Sequence, residues 1–178
     1  MAMNRITFLC ALITISLCTF LLPCPSLPQD KPTTWEVYFS PNGGCTDAIV
    51  RELDKASSTV LVQAYSFTSY RIAKALVDAY KRGVRVEVIL DKSQRTDQYS
   101  SATFFANAGI PVKIDAAHAI AHNKVMIIDR EIVITGSFNF TKAAEENNAE
   151  NLFIIKSNDL ARIYLENWQR RKEHSQVY

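Results

Sequence analysis

The chain has 178 residues, enough for one domain with a hydrophobic core that needs no disulfide or metal staple. Its apolar fraction of 48% and charged fraction of 21% are those of a globular protein, which excludes a disordered or collagen-like chain. A net charge of only +2 excludes a global basic field, so any polyanion must be met by a local arrangement of Lys and Arg.

Residues 1–28 differ from the rest. Met1 to Arg5 carries one cation, Ile6 to Leu22 is apolar apart from small hydroxyl residues, and Pro23-Cys24-Pro25-Ser26-Leu27-Pro28 breaks any helix. This is the layout of a secretory signal, with cleavage expected between Pro23 and Asp30. An uncleaved anchor is the competing reading, because the apolar run is at the lower limit for spanning a bilayer. Pro23 stands where a lipoprotein signal has a small residue, which argues against lipidation of Cys24. Cleavage after Cys24 leaves Cys45 alone in a single domain over 29–178, so no internal disulfide and no thiolate zinc site can form. No activating base neighbours Cys45 in sequence, so it reads as a small packing residue and not as a nucleophile.

Strands and helices then alternate. Trp35 to Phe39 is a first strand ended by Pro41-Asn42-Gly43-Gly44, and Asp47 to Ala56 is a helix with Thr46 as its N-cap. Thr59 to Tyr65 is a buried strand. Ser69 caps a helix that runs to Arg82 and ends at Gly83, and Val84 to Leu90 is the next strand. Tyr99 to Ala108 is a short helix stopped by Gly109, and Pro111 to Ile114 a short strand. Lys124 to Ile128 and Glu131 to Thr135 form a hairpin turning at Asp129-Arg130. Leu152 to Ile155 is a strand, and Asp159 to Arg171 a final helix with Ile163, Leu165 and Trp168 towards the core. The pattern predicts an α/β fold: a layered α-β-α sandwich around a mixed, largely parallel sheet.

The chemistry is concentrated between His122 and Asn139, which reads H-x-K-x4-D-x6-G-S-x-x-N. An imidazole can attack phosphorus, an ammonium can neutralise a non-bridging oxygen, and hydroxyl and amide donors can hold the others. Strand alternation places His122, Lys124, Met126 and Ile128 on one side. Asp129 ends the strand, where it can orient an imidazole or close the hairpin. Gly136 permits close backbone approach to a ligand. Phe138 and Phe140 read as core below the loop, with base stacking as the alternative.

This motif resembles the signature of the phospholipase D superfamily, most closely its short secreted bacterial endonucleases with one copy of the motif. The likeness extends to Ala64-Tyr65-Ser66-Phe67-Thr68, Gly109-Ile110-Pro111, Gly136 to Glu145, and Ala149-Glu150-Asn151. The resemblance implies a phospholipase D-like fold and a two-step displacement through a phosphohistidine on His122, with a second His122 as proton donor. It implies that Lys124, Ser137 and Asn139 hold the phosphate, that Glu150 hydrogen-bonds the imidazole, and that Asp129 supports the site. It further implies no metal or other cofactor, and a homodimer that shares its active site. The expected protein is a secreted or periplasmic nonspecific endonuclease acting on DNA and possibly RNA, without stable membrane insertion after cleavage. The alternative is a phospholipase D acting on phosphatidylcholine-type lipids.

Other readings of the same residues remain to be separated. His118 and His122, with Glu150 and Asp129, could build a zinc hydrolase site. A non-catalytic phosphate-binding module could use the same donors. Lys92, Arg95, Lys113 and Lys142 are candidate phosphate contacts. His118 reads as a rim or structural residue, His174 as solvated, and Gln169 to Lys172 as the solvated end of the last helix.

Overall fold

A computed structural model describes residues 32–97 and 100–178; the expected secretory signal over 1–28 and the expected helix start at Tyr99 lie outside the described residues. In chain order the elements are β1 (Thr34–Ser40), α1 (Cys45–Lys55), β2 (Thr59–Ala64), α2 (Tyr70–Lys81) and β3 (Arg85–Asp91). After a 3₁₀ turn at Lys92–Arg95 come α3 (Ala102–Asn107), β4 (Val112–Asp115), β5 (Lys124–Ile128) and β6 (Ile132–Gly136). The chain then forms α4 (Lys142–Glu146), β7 (Glu150–Lys156), α5 (Asn158–His174) and the short β8 (Gln176–Val177). Among the described residues no helix is long and apolar enough to cross a membrane.

The strands form one mixed sheet in the order β1-β7-β6-β5-β2-β3-β4-β8. The layered α/β class is as expected, but the sheet is not largely parallel. Only β2–β3 and β3–β4 pair in parallel, and every other neighbouring pair is antiparallel. The cause is connection length: helical crossovers join β2, β3 and β4, whereas β5 turns straight into β6.

Both faces are covered. Val60, Val62, Val86, Val88, Leu90, Met126 and Ile134 pack in one core with residues of α1, α2, α3 and α4. Leu61, Ile89, Val125, Ile127 and Val133 pack beneath α5. Alternate residues of β2 and β5 thus enter different cores, which explains their uninterrupted apolar sequences. Trp168 anchors α5, donating its indole N–H to Val62 O at 3.1 Å. Ile163 lies on the outer side of α5 and is 54% exposed, contrary to the expected inward position.

Helix starts follow local capping in three cases: the Ser69 hydroxyl accepts from Ile72 N on α2, Thr141 from Ala144 N on α4, and Ser157 from Leu160 N on α5. Helix α1 does not use Thr46, which lies inside its first turn behind a left-handed Gly44. The carboxylate of Glu145 supplies the cap instead, accepting from Gly44 N at 3.0 Å and Thr46 N at 2.7 Å. A residue about a hundred positions away does what the local sequence pattern assigns to Thr46.

At the β5–β6 turn, which Glu131 N closes by donating to Ile128 O at 3.0 Å, the two central residues Asp129 and Arg130 both adopt positive φ, of 52° and 58°. The Asp129 carboxylate accepts from Ser57 N and Oγ, Ser58 N and Oγ, and Thr59 N, all at 2.8–3.0 Å. Burial alone would raise its pKa. The hydrogen bonds from Thr59, Ser57 and Ser58 outweigh that and hold it down at about 2. The folded value lies below the ordinary 3.8, so the stabilisation is fully present above about pH 4 and fades as pH falls towards 2. D129N is expected to lower unfolding free energy by about 2 kcal/mol at pH 7 and to flatten its dependence between pH 4 and 2. Urea unfolding of both proteins across that range tests this; an unchanged acid dependence would contradict it.

Candidate active site

Strand direction gathers the polar motif residues at one end of the sheet. Ala64 pairs with Lys124, Gly136 with Leu152, and Ser40 with Glu150. The β5–β6 register, continued two residues from the Met126–Ile134 pair, sets Lys124 beside Gly136. His122, Lys124, Ser137, Asn139 and Glu150 therefore meet where β2 and β6 end and β5 and β7 begin.

Lys124 is only 7% exposed. It shares the α1–α2 side of β5 with Met126 and Ile128, as alternation predicts. Burial pushes its ammonium below the usual lysine range, and the charge of Glu150 pulls in the opposite direction. Its Nζ lies 5.1 Å from the centre of the Tyr65 ring and donates to the carbonyl of His122 at 3.4 Å. His122 is exposed and precedes the strand, so alternation does not set its position. Tyr65 does: the two rings lie 4.6 Å apart at an angle of 58°. Asn123 O accepts from Tyr65 N at 2.8 Å and Ala121 N donates to the buried Asp91 carboxylate at 2.7 Å, so the backbone is tied on both sides of the imidazole.

The loop after β6 is built against Asn151. Ser137 N and Phe138 N both donate to Asn151 O at 3.1 Å, and Asn151 N donates to Ser137 Oγ at 3.0 Å. Gly136 has φ 143°, and a Cβ there would sit 2.3 Å from Asn151 O. The glycine thus serves close packing of β6 on β7, where a close approach to ligand was expected. Ser137 remains exposed. The Asn139 amide oxygen is buried without a hydrogen-bond partner. Phe138 and Phe140 are fully buried, which removes them as stacking platforms.

Two expected members stand apart from the arrangement that the sequence suggested. Asp129 lies at the other end of β5, about 16 Å along an extended chain from Lys124, and its oxygens are engaged by the Ser57–Thr59 segment. It belongs to the hairpin and not to the polar cluster. Glu150 is in the cluster, but its hydrogen bond is from Asn148 Nδ2 at 3.3 Å and its charge acts on Lys124. The expected bond to the imidazole is not among the contacts of the described residues.

The zinc reading loses its ligand set, because Asp129 is remote and His118 is held by Asp115. Among the described residues no group of three or more His, Cys, Asp or Glu is placed to hold a metal. Cys45 is buried, and burial together with Glu145 pushes its thiol up to about 11, away from nucleophilic use. Lys113 donates to the carbonyls of Lys172 and Ser175, and Lys142 pairs with Glu146, so neither is an idle cation. Arg95 is exposed. Within the Gln169–Lys172 run, Arg171 contacts His118 and Lys172 pairs with Glu87, so the run is not merely solvated. His174 is exposed, as expected. Sequence reasoning does not single out Tyr65 and Asp91 as site residues, although Asp91 ends β3 and Tyr65 directly follows β2, each next to the motif in space.

Residues 49–172 match the family described as cardiolipin synthase, PLD-like domain. This chain belongs to the phospholipase D-like family. It is 43% identical over 153 residues to a phospholipase D of Rickettsia typhi, spanning 86% of this chain and 75% of the relative. It is 31% identical to a mitochondrial cardiolipin hydrolase of Mus musculus, over 84% of this chain and 67% of that one. Among solved structures, Nuc of Salmonella typhimurium, a phospholipase D family member, aligns with a TM-score of 0.79 and 41% identity over 83% of this chain and 99% of Nuc. NucT of Helicobacter pylori shares the fold, with a TM-score of 0.76 and 23% identity over 83% of this chain and all of NucT. The chain is a phosphodiesterase of this superfamily.

The glycine contact makes a direct forecast. G136A forces a Cβ against the Asn151 carbonyl in a backbone conformation that L-residues rarely adopt, so it should lower the thermal midpoint by about 5 °C or more. Calorimetry of the two proteins decides; an unchanged midpoint would mean that β6 and β7 separate easily.

Proposed function

We propose that this chain is a secreted or periplasmic, metal-independent endonuclease that acts as a homodimer. The observation that carries this reading is the exposed His122 imidazole set beside a buried Lys124 ammonium, with Ser137 and Asn139 at the same sheet end. A nucleophile next to a poorly hydrated cation suits attack on a phosphodiester, whose charge the cation neutralises. The likeness to Nuc, over nearly all of that chain, supports nucleic acid as substrate. The apolar, proline-terminated N-terminal segment supports export.

In the proposed cycle one nitrogen of His122 attacks phosphorus as the bond to the leaving oxygen breaks. His122 of a second copy gives its proton to that oxygen. The same second imidazole then takes a proton from water, whose oxygen attacks phosphorus and breaks the N–P bond. Lys124, Ser137 and Asn139 hold the non-bridging oxygens throughout. One chain carries one such imidazole, so the cycle needs a dimer with the two His122 residues facing across a shared cleft.

A second reading, hydrolysis of a phospholipid, is favoured by the Rickettsia relatives, which are named phospholipase D at 43–47% identity. Plasmid nicking in excess EDTA, set beside choline release from phosphatidylcholine vesicles, separates the two. Wild type is expected to nick, H122N to lose at least about a thousandfold, and the native mass to be that of two chains. Choline release without nicking, or an active single chain, would overturn the nuclease dimer.

Lys124 also gives a pH signature. Its ammonium must remain protonated to hold the phosphate, so kcat/KM should fall as pH rises through a value below the ordinary 10.5. Glu150 raises that value, so E150Q should move the alkaline limb to lower pH. A limb that stays in place in E150Q would show that the carboxylate does not act through Lys124.

A further inference from the structure

Four residues before His122 in the chain, His118 joins two cations in a cluster that the proposed cycle does not use. His118 is half-buried, and its Nδ1 lies 2.8 and 2.9 Å from the two oxygens of Asp115. Asp115 is 1% exposed. A carboxylate can only accept, so Nδ1 carries the hydrogen and Nε2 is turned towards Arg171, whose Nη1 abuts it. Lys92 is exposed and donates its Nζ to the carbonyl of His118 at 3.1 Å.

The cluster is well supplied with donors. Arg171 uses one N–H on His118, Lys92 uses one on a carbonyl, and the remaining N–H groups of both cations are left for an incoming acceptor. The acids nearby are Asp115 and Asp91, both beneath the surface and already bonded, the latter to Ser93 N and Ala121 N. Cations therefore face solvent and carboxylates lie under them. This is the layering of an anion site more than of a surface ion pair.

Its position relative to His122 is set by the chain. Asp91 bonds Ala121, so the residues that follow each of them, Lys92 and His122, start from one anchored point. His118 precedes His122 by four residues, a reach of at most about 14 Å. A polynucleotide strand carries one charge per about 3.4 Å of duplex axis, so a few successive phosphates span that distance.

We propose that Lys92 and Arg171, braced by the His118 imidazole and carbonyl, form a second phosphate subsite, which holds a phosphate of the polynucleotide flanking the one attacked by His122. Asp115 is a positioning residue that sets the imidazole. The subsite rests on the nuclease reading and gives it a substrate class: a polymer of phosphodiesters, held at two phosphates per chain. A phospholipid with a single phosphate gains nothing from it.

The test compares K92A/R171A with the charge-preserving K92R/R171K. In an H122N background, binding of a single-stranded oligonucleotide is followed by fluorescence anisotropy over a salt series. Loss of the subsite from both copies of the dimer removes two phosphate contacts, and should weaken binding about tenfold or more and reduce the slope of log K against log salt by about 1.4. K92R/R171K should keep the wild-type slope. In the His122 proteins, the rate on the polymer relative to that on bis(4-nitrophenyl) phosphate should fall about tenfold in K92A/R171A. An unchanged slope, or an equal fall on both substrates, would overturn the subsite and leave the cluster as a clasp for the His122 loop. A wild-type protein that cleaves vesicle lipid but no polynucleotide would instead overturn the nuclease reading, and the subsite with it. That outcome is recognised before any variant of the cluster is made.

Discussion

Keeping an ammonium dry is the constraint around which the polar end of this fold is organised. Lysine is among the residues least often buried, and removing its charge from water is costly unless the surroundings compensate. Lys124 is nonetheless 7% exposed. Its compensation comes from the face of Tyr65 just after β2, the carbonyl of His122 and the field of Glu150 on β7. These partners belong to different segments, and only one register of β2, β5, β6 and β7 brings them together. A one-residue slip of β5 would turn Lys124 towards α5 and leave its partners behind. On the proposed reading, incomplete compensation also has a chemical use: a phosphate entering beside Lys124 would supply countercharge where water screens least.

The same motif holds the register from its other end. Asp129 follows Lys124 at the far end of β5, where it gathers donors from Ser57, Ser58 and Thr59. It thereby pins the start of β2 to the end of β5, and the Ala64–Lys124 pairing follows at the opposite end. A residue that touches nothing in the polar cluster can still determine whether the cluster assembles. The motif spans the sheet, with chemistry at one end and alignment at the other.

Much of this was legible in the sequence, for physical reasons that differ by element. Strands β2 and β5 are buried on both faces, so the apolar runs Val60–Val62 and Val125–Ile128 have no competing explanation. The α2 boundaries were legible because Ser69 and Gly83 act through local backbone geometry. What was not legible depends on distant partners. Thr46 yields the α1 cap to Glu145 from beyond β6. Gly136 is needed by the Asn151 carbonyl, which no local pattern reveals. Ile163 points outward because α5 packs through Leu165 and Trp168, and periodicity alone does not choose between adjacent faces. Two of the antiparallel pairings, β1 with β7 and β2 with β5, join strands far apart in sequence, which no local pattern reveals. For the site, the residue types of the motif identified the cluster. Only the coordinates revealed Tyr65 as the surface shared by His122 and Lys124.

The remaining choice, between a polymer and a lipid, turns on what a dimer would do to the cations near His122. On the proposed reading two copies face one another, so each flank of the shared cleft carries its own Lys92, His118 and Arg171. The two clusters are related by the same twofold axis as the two imidazoles. A strand lying across the cleft would meet one cluster before the reacting phosphate and the other after it, whichever histidine acts as nucleophile. A lipid offers one diester and two acyl chains, for which paired basic clusters on both flanks provide no apolar contact. On that reading, a symmetric duplication that completes the chemistry would also complete a track for a linear polyanion, without sequence-reading contacts. That arrangement favours nonspecific cleavage of nucleic acid over hydrolysis of a single headgroup.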